Sequence, residues 1–445
     1  MSRRGVAACA VLVVSLFAHA PAQPSRAQVP SRAPTDLRAP RETGLDALVK
    51  NFEFSELASA VAAMPASDER DYFAGILANR QGRVAESARL LERALAAPWS
   101  AQAPAERAAV ALRTLADDYV KLYRYRDAAQ KLALLLRSFS STLDKAELDS
   151  TQDDYNTFRL LEQAPPQTVS FNGPINLATH RNATLNTIDA KLTVNGVAES
   201  WILDTGANTT AVSAGFARRL GVPVSTEKAQ TKGITGAEND LRAAILPELT
   251  LGGATVRNVV LIVLDDESFN VPVGRGHYQI NAVLGYPVLQ ALQRVTFTDD
   301  GRMLAGPESP GAKAGATLYM KELMPLVECA VAGRPVLFSF DTGADRSLFS
   351  ARYYKEFPGQ FKGMSPRPYA FGGAGGVKRV AAHYLPQVQL GVGATTVTLH
   401  DVPVVPPLGT DTDKVFGNLG RDVTDPYRSF TIDFEHMRLR LGDKR

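Results

Sequence analysis

Two short stretches of the chain, Trp201-Ile-Leu-Asp-Thr-Gly-Ala207 and Phe338-Ser-Phe-Asp-Thr-Gly-Ala344, are near copies of each other. In each stretch a mostly apolar run precedes an aspartate, and such a run predicts a buried strand that ends at the carboxylate. The glycine after each threonine favours a tight turn that many other residues disfavour. A lone Asp-Thr-Gly is equally consistent with an ordinary β-turn. The duplication instead predicts that Asp204 and Asp341 occupy equivalent places in two copies of one structural unit.

The similarity extends outward from the two motifs. The offset between Asp204 and Asp341, 137 residues, also aligns flanking glycines and serines. Both regions contain alternating β-branched residues, glycines and short turns, which indicate strands rather than helices. We therefore predict two homologous β-rich lobes at residues 168–305 and 317–445, and a Gly/Pro/Ala/Ser-rich linker at 306–316. Lobes that pack about a pseudo-twofold axis bring their equivalent aspartates together at that axis.

Residues 45–165, which precede the first lobe, have a helical pattern rich in Leu and Ala. Leu112, Leu115 and Tyr119 fall on one helical face, and the pattern repeats loosely after 41 residues. The segment Gly82-Arg-Val-Ala-Glu-Ser-Ala88 resembles the turn and second helix of a tetratricopeptide repeat, although the usual period of that family is about 34 residues. A helical hairpin bundle without repeat ancestry is the alternative. In either case we expect this module to bind a protein partner or to pack on the neighbouring lobes.

The amino terminus has the features of an export signal. Arg3 and Arg4 precede an apolar run at 5–17, which is shorter than the roughly 20 residues that a membrane-spanning helix needs. We predict a signal peptide at residues 1–22 and a flexible linker rich in Pro, Ala and Ser at 23–44. The mature protein is therefore expected to be exported, either periplasmic or secreted, without a stable membrane span.

The composition narrows the function classes. The 445 residues carry a formal net charge of +3 without a dense basic stripe, which argues against nucleic acid as a partner. Cys9 lies in the predicted signal peptide, so Cys329 alone cannot form a disulfide framework or a cysteine metal site. The six histidines show no metal-ligand spacing, and we expect neither a metal nor an organic cofactor.

Residues 185–445 resemble a bilobal aspartic protease of the pepsin and retropepsin clan. The resemblance rests on the doubled Asp-Thr-Gly-Ala motif and on a later hydrophobic-hydrophobic-Gly motif in each lobe. In that clan the later motif braces the catalytic loop, which assigns this role to Leu284 and Gly285 in the first lobe and to Phe416 and Gly417 in the second. The predicted fold class is therefore multidomain α plus β, with an α-helical repeat module followed by a bilobal, mostly-β acid protease fold of the pepsin/retropepsin type.

The resemblance also implies the chemistry. Two neighbouring carboxyls, those of Asp204 and Asp341, hold one proton between them and activate a water for peptide hydrolysis by general acid-base catalysis. The residues implied to support the two catalytic loops are Thr205, Gly206, Ala207, Thr342, Gly343 and Ala344. Pepsin-like enzymes often have a hydroxyl residue where the two alanines stand, so we expect a less acidic pH optimum than that of pepsin.

Two glycine-rich segments are suited to flaps that close over a substrate. One flap tip contains Gly233, Ile234, Thr235 and Gly236, and the other contains Phe371, Gly372 and Gly373. A flap in each lobe resembles the retropepsin dimer, but both lobes here belong to one chain. One chain is therefore expected to be catalytically complete as a monomer. Neither segment matches the Gly-x-x-x-x-Gly-Lys-Ser/Thr loop that binds nucleotide phosphates.

We therefore predict an exported aspartic endopeptidase with a polypeptide substrate and with Asp204 and Asp341 as its catalytic residues. The main alternative is a non-catalytic or latent retropepsin-like scaffold that binds peptides and whose helical module mediates protein interactions. A third alternative is a zymogen whose helical module is removed by cleavage near Pro165-Pro166. The presence of both carboxylates favours catalysis, because an inert descendant has no chemical use for two adjacent carboxylates.

Overall fold

The computed structural model describes residues 44–232, 238–273, 276–307, 314–373, 376–408 and 411–445. The predicted signal peptide, and all but the last residue of the linker predicted at 23–44, lie outside the described residues. Within those ranges a helical N-terminal region is followed by a large β region, so the predicted α plus β composition is confirmed. None of the helices in the described ranges is both long and apolar enough to cross a membrane.

The N-terminal region consists of helices that follow one another in antiparallel hairpins. In chain order they are α1 (Leu45–Lys50), α2 (Phe54–Ala63), α3 (Asp68–Arg80), α4 (Val84–Ala96), α5 (Ala105–Lys121), α6 (Tyr125–Ser138) and α7 (Lys145–Leu160). Ser67 caps the start of α3 and Asp144 caps the start of α7, each by accepting a hydrogen bond from a backbone N–H of the first turn. A Cβ added to Gly75 would lie 2.7 Å from Cγ of Leu91, so the small residue lets α3 and α4 pack closely.

Strands β1 to β13 and two short helices form the first part of the β region. The strands are β1 (Thr168–Phe171), β2 (Ile175–Arg181), β3 (Ile188–Val194), β4 (Val197–Leu203), β5 (Thr210–Ser213), β6 (Ala229–Lys232), β7 (Glu238–Leu251), β8 (Ala254–Leu264), β9 (Asn270–Val273), β10 (Gly276–Gln279), β11 (Ala282–Leu284), β12 (Arg294–Thr298) and β13 (Arg302–Ala305). The helices are α8 (Ala214–Leu220), which follows β5, and α9 (Tyr286–Ala291), which follows β11.

The second part of the β region begins at β14. Its strands are β14 (Ala316–Lys321), β15 (Met324–Val331), β16 (Arg334–Phe340), β17 (Leu348–Phe349), β18 (Arg367–Gly373), β19 (Gly376–Val392), β20 (Thr395–Val404), β21 (Gly417–Leu419), β22 (Ser429–Asp433) and β23 (Arg438–Leu441), with α10 (Ala351–Glu356) after β17. Residues 308–313 of the predicted linker between β13 and β14 lie outside the described residues.

The two parts repeat the same strand pairings. β11 pairs in parallel with β4 and antiparallel with β5, and β21 pairs in the same way with β16 and β17. β8 pairs in parallel with β5 and antiparallel with β7, as β20 does with β17 and β19. We call these two sets of strands the first copy (residues 168–305) and the second copy (residues 316–441).

One sheet joins the two copies. Its strand order is β2-β13-β12-β22-β23-β14, so the boundary between the copies falls between β12 and β22. Thr296 and Thr431 pair across that boundary, and their hydroxyls form a hydrogen bond of 2.8 Å. Because a continuous sheet crosses the boundary, the copies are held in a fixed relative position, which two loops need if their side chains are to meet.

The helical region packs against both copies. Its apolar core includes Tyr319, Leu326 and Leu337 of the second copy, each at most 5% exposed. Oγ of Ser55 on α2 donates a hydrogen bond of 2.6 Å to Oε2 of Glu328 on β15. On the side of the first copy, α7 lies beside β6. Of the two roles expected for the helical module, packing on its neighbours is therefore observed.

Candidate active site

The two Asp-Thr-Gly loops begin at the ends of equivalent strands. Asp204 follows β4 and Asp341 follows β16. The backbone N–H of each aspartate donates to a carbonyl of the strand that pairs in parallel with its own, Asp204 to Leu284 and Asp341 to Leu419, both at 3.0 Å. Both aspartates are buried, with 0% and 2% of their surface exposed. The strands thus place two carboxyl groups inside the protein.

The threonines of the two loops hydrogen-bond reciprocally. The backbone N–H of Thr205 donates to Oγ1 of Thr342 (2.9 Å), and the N–H of Thr342 donates to Oγ1 of Thr205 (3.1 Å). Each hydroxyl then donates to a carbonyl of the opposite copy, Thr205 to Phe340 (3.2 Å) and Thr342 to Leu203 (2.9 Å). Because each hydroxyl both accepts and donates, the two loops are fixed relative to each other.

Each carboxyl is held by backbone amides of its own loop. For Asp204, Oδ1 accepts from the N–H groups of Gly206 (2.8 Å) and Ala207 (3.2 Å), and for Asp341, Oδ1 accepts from those of Gly343 (2.8 Å) and Ala344 (3.1 Å). Two such bonds to one oxygen fix the orientation of a carboxyl and favour its charged form. They leave Oδ2 of each aspartate for other partners.

The two motif glycines make room for the opposite carboxyl. A Cβ added to Gly206 would lie 2.5 Å from Cγ of Asp341, and one added to Gly343 would lie 2.6 Å from Cγ of Asp204. Neither glycine has a positive φ. The sequence pattern attributes these glycines to a tight turn, whereas in the structure the close approach of the two copies requires them.

Burial raises the pKa of Asp204 well above its usual value. Desolvation is the largest cause, followed by the negative charge of Asp341 and a hydrogen bond with the carboxyl of Asp341, while the N–H groups of Gly206 and Ala207 act in the opposite direction. The contact between two carboxyls is a hydrogen bond only when one of them carries a proton. The pair therefore holds one proton between its two apparent pKa values, and it can both accept a proton and donate one.

This raised pKa predicts how Asp204→Asn changes stability. In the unfolded chain Asp204 has a pKa of about 3.9, so it loses its proton above about pH 4. In the folded protein it stays protonated to higher pH, because its pKa is raised. The stability from protonated Asp204 is thus complete below about pH 4 and is lost as the pH rises through the folded pKa. Asn does not ionise, so its side chain causes no such loss. As the pH rises, the free energy of unfolding of the variant therefore increases relative to that of the wild type, by at most about 1.4 kcal/mol per pH unit. Denaturant unfolding at pH 4, 6 and 8 measures this gain, and a pH-independent difference would contradict the assignment.

The predicted bracing residues of the first copy lie against the catalytic loop. Leu284 accepts the backbone hydrogen bond of Asp204, and a Cβ on Gly285 would lie 2.8 Å from the carbonyl oxygen of Ala207. The next residue, Tyr286, donates its N–H to that same carbonyl (2.8 Å). Leu284 and Gly285 therefore both lie against the Asp204 loop, and their bracing role stays a prediction.

In the second copy the structure corrects the register of this motif by three residues. Leu419 accepts the hydrogen bond of Asp341, and Arg421 donates its N–H to the carbonyl of Ala344 (2.9 Å) as Tyr286 does in the first copy. The equivalents of Leu284 and Gly285 are thus Leu419 and Gly420. Phe416 and Gly417, which were predicted to brace the loop, instead lie just before Leu419 in the chain. There the N–H of Phe416 donates to the backbone carbonyl of Leu337. The hydrophobic-hydrophobic-Gly pattern selected the wrong segment, because Val415 and Phe416 are both apolar, whereas the residue before Leu419 is the polar Asn418.

The second predicted flap lies on the hairpin β18–β19, and strands β6 and β7, which flank the first predicted flap in the sequence, pair with each other. Gly233, Ile234, Thr235 and Gly236 lie outside the described residues. Phe371, Gly372 and Gly373 end β18, where the pairing with β19 reaches Gly373 opposite Gly376. Phe371 is buried in an apolar cluster with Leu348, Ala382, Val405 and Leu408. Its side chain therefore packs on apolar residues of neighbouring elements, and the role of either hairpin as a flap stays a prediction.

Other candidate chemistry is not assembled in the described part of the chain. Those residues contain no group of three or more His, Cys, Asp or Glu side chains placed to hold a metal ion. Cys329 lies on β15 with 2% of its surface exposed, and burial raises the pKa of its thiol. Since the thiolate is the reactive form, Cys329 is a core residue and not a nucleophile.

Comparison with known proteins agrees with the geometry of the first copy. Residues 190–288, which include Asp204 and Gly285, match a family model described as aspartyl protease. A solved retropepsin-like aspartic protease from Rickettsia conorii is 22% identical, and the match covers 33% of this chain and 98% of that chain with a TM-score of 0.23. No curated protein matches the chain. The first copy is thus similar to aspartyl proteases.

Proposed function

We propose that this protein is an exported aspartic endopeptidase, in which the two copies are the lobes of a bilobal, retropepsin-like fold. The observation that carries the proposal is the pair of buried aspartates, Asp204 and Asp341, on loops that Thr205 and Thr342 bond to each other. Two like-charged groups are costly to bury together, and acid-base catalysis gives them a use. The family match over residues 190–288 supports the proposal independently.

The chemistry needs only the two carboxyls and a water. The ionised carboxylate removes a proton from the water as its oxygen attacks the carbonyl carbon, and the protonated carboxyl donates its proton to the carbonyl oxygen. The resulting tetrahedral diol collapses when the amide nitrogen takes a proton and the C–N bond breaks. Because the cross-bonded loops are rigid, both carboxyls stay within reach of the same water, which lowers the entropic part of the barrier.

In this proposal the helical module, with its tetratricopeptide-like hairpins, belongs to the working enzyme. Its contacts with Tyr319, Leu326 and Leu337 bury apolar surface of the second lobe, so it acts first as a support for the lobes. Removing the module would expose these apolar side chains to water, which argues against a zymogen. Recruitment of a protein partner through the remaining surface of the module stays a prediction.

Hydrolysis of an unfolded protein such as casein tests the proposal. We expect the chain from Gln23 onward to release peptides with new amino termini, with a bell-shaped dependence of kcat/KM on pH between roughly pH 3 and pH 7, because one carboxyl must be ionised and the other protonated. A peptide isostere with a hydroxyl group in place of the scissile carbonyl should inhibit this cleavage.

The same isostere separates the enzyme from a non-catalytic scaffold. An enzyme binds a transition-state analogue at least about 10²-fold more tightly than the corresponding peptide. A scaffold that only binds peptides has no reason to prefer the tetrahedral hydroxyl. Equal affinity for the peptide and the isostere, together with intact casein, would support the scaffold and exclude the protease.

Gly206→Ala tests whether the spacing of the carboxyls matters. The added Cβ meets Cγ of Asp341 at 2.5 Å, so the carboxyl must move. A displacement of this kind is expected to lower kcat about 10²-fold or more with little change in KM. Gly359→Ala is the matched control, because nothing lies within 4 Å of a Cβ at Gly359. Equal kcat values for both variants would show that the observed spacing is unimportant.

A further inference from the structure

The two carboxyls differ in what lies beside Oδ2. Asn418, on β21, donates a hydrogen bond from Nδ2 to Oδ2 of Asp341 (3.2 Å). Its other amide atom, Oδ1, accepts a hydrogen bond of 2.6 Å from Oγ of Ser339. The Ser339 hydroxyl also lies 3.2 Å from the carbonyl oxygen of Gly417, but Oδ1 of Asn418 is the nearer acceptor of its one proton, so the amide is oriented with its NH₂ group toward the carboxyl. Asp341 thus receives a third hydrogen bond in addition to the two from its own loop.

The first copy has no counterpart to this arrangement. The parallel pairing of β16 with β21 places Ser339 opposite Asn418, and the pairing of β4 with β11 places Ile202 opposite Val283. A polar pair in the second copy therefore corresponds to an apolar, buried pair in the first. Oδ2 of Asp204 is buried, and apart from the carboxyl of Asp341 no group of the described residues forms a hydrogen bond with it.

We propose that Asn418 is the positioning residue that makes the dyad asymmetric, holding Asp341 in the ionised form and leaving the shared proton on Asp204. The proposal rests on the proposed function, because it assigns the roles of the two carboxyls in that reaction. An amide N–H stabilises a carboxylate more than a neutral carboxyl, since the hydrogen bond to the charged form is stronger. Asp204, with its apolar neighbours, is the better place for the proton.

The surroundings of the dyad are consistent with this assignment. Among the described residues, the groups placed against the two carboxyls include the backbone amides of their own loops, Asn418 and the opposite carboxyl. Of these, only the two carboxyls titrate. The raised pKa of Asp204 has desolvation as its largest cause, which also favours the proton on that side.

The asymmetry fixes the path of each proton. Asp341 takes a proton from the attacking water while the water oxygen bonds to the carbonyl carbon. Asp204 gives its proton to the carbonyl oxygen, which receives the electron pair of the broken π bond. After this step Asp341 is protonated and Asp204 is ionised, so Asp341 can protonate the leaving nitrogen. A retropepsin-like homodimer has two identical loops, whereas a single chain can place a different residue at this position in each lobe.

Asn418→Val tests the proposal, because valine is the residue at the equivalent position 283 and suits a strand. Loss of the donor should raise the lower of the two apparent pKa values of the dyad by about one pH unit, the size expected for one hydrogen bond to a charged group. Asn418→Ser is a second variant that stays polar but cannot reach Asp341, and the same direction is expected. Val283→Asn, which offers Asp204 a donor, should make the two carboxyls titrate more alike.

The titration is measured by ¹³C NMR of the aspartate carboxyl carbons in the full chain from Gln23, with Asp204→Asn and Asp341→Asn used to assign the signals. In the wild type the Asp341 carbon should report ionisation at the lower pH and the Asp204 carbon at the higher. This readout needs no turnover, so it stands even if the protein cleaves nothing. Where cleavage occurs, the acid limb of the pH profile should move upward in Asn418→Val. The proposal would be overturned if the lower apparent pKa of the dyad were the same in both folded Asn418 variants as in the wild type. It would also be overturned if Asp204 ionised at a lower pH than Asp341.

Discussion

Replacing either Asp204 or Asp341 by asparagine is expected to reduce kcat/KM by about 10⁴-fold or more. Each carboxyl supplies a proton transfer that contributes about 10²–10⁴-fold, and an uncharged amide can neither accept the proton of water nor donate one of comparable acidity. Since the two carboxyls act on the same water, the loss of one also deprives the other of its function. The double variant should therefore be no less active than either single variant.

The measurement is casein hydrolysis by the three variants beside Asp443→Asn, an exposed aspartate near the end of the chain that serves as a matched control. Thermal unfolding of each variant shows whether the fold is retained. Because Asp204→Asn is predicted to be more stable than the wild type at neutral pH, its loss of activity would not be explained by unfolding. Activity that survives in both single variants would place any hydrolysis at another site.

Deleting residues 1–165 is expected to make the β region insoluble or unfolded. The helices cover Tyr319, Leu326 and Leu337, and the fully buried side chains among them each contribute about 1.5–3 kcal/mol through burial. Exposing several of them removes an amount comparable to the whole stability of a typical domain, about 5–15 kcal/mol. The exposed apolar patch should also promote association.

Soluble yield and the unfolding midpoint of the fragment from Pro166 onward measure this effect. The matched control is the chain from Gly44 onward, which retains every helix described. A monomeric, active fragment would contradict the supporting role of the helices and would favour a zymogen. Ser55→Ala removes the hydrogen bonds of Oγ with Glu328 (2.6 Å) and with the hydroxyl of Tyr319 (3.1 Å), and it should cost far less, about 1–2 kcal/mol.

The sequence predicted the dyad because duplication is a strong constraint. Two apolar strands that end in the same Asp-Thr-Gly predict two equivalent carboxyls, and a pseudo-twofold arrangement leaves them one place to meet. The supporting role of Thr205 and Thr342, whose hydrogen bonds cross between the two loops, was implied by family resemblance rather than by the pattern. The space required beside Gly206 could not be inferred, because it depends on how closely the opposite copy approaches.

The register of the second bracing motif was missed for a physical reason. Val415-Phe416-Gly417 satisfies the hydrophobic pattern better than Asn418-Leu419-Gly420, yet the strand pairing selects the later segment. A pattern of side-chain polarity cannot show that Asn418 finds a partner in Asp341. The residue that departs from the pattern, Asn418, is the one that hydrogen-bonds the carboxyl of Asp341.

The sequence predicted that the helices bind a partner or pack on the lobes, but it did not show which residues would make the contact. Periodicity predicts α3, but an amphipathic helix with one partner exposes its opposite face. In the structure the consecutive residues 75–79 are all buried, so other segments surround this part of α3 on all faces. That coverage comes partly from β14, which lies far away in the sequence. Packing between distant segments leaves no local signal in either of them.

The most direct test of the central claim, one dyad formed within one chain, is the stoichiometry of isostere binding by calorimetry on protein of verified mass. The account predicts that one isostere binds per chain from Gln23 onward, that this chain is a monomer, and that the binding is lost in both Asp204→Asn and Asp341→Asn. One isostere per two chains, or binding that survives in both variants, would contradict it.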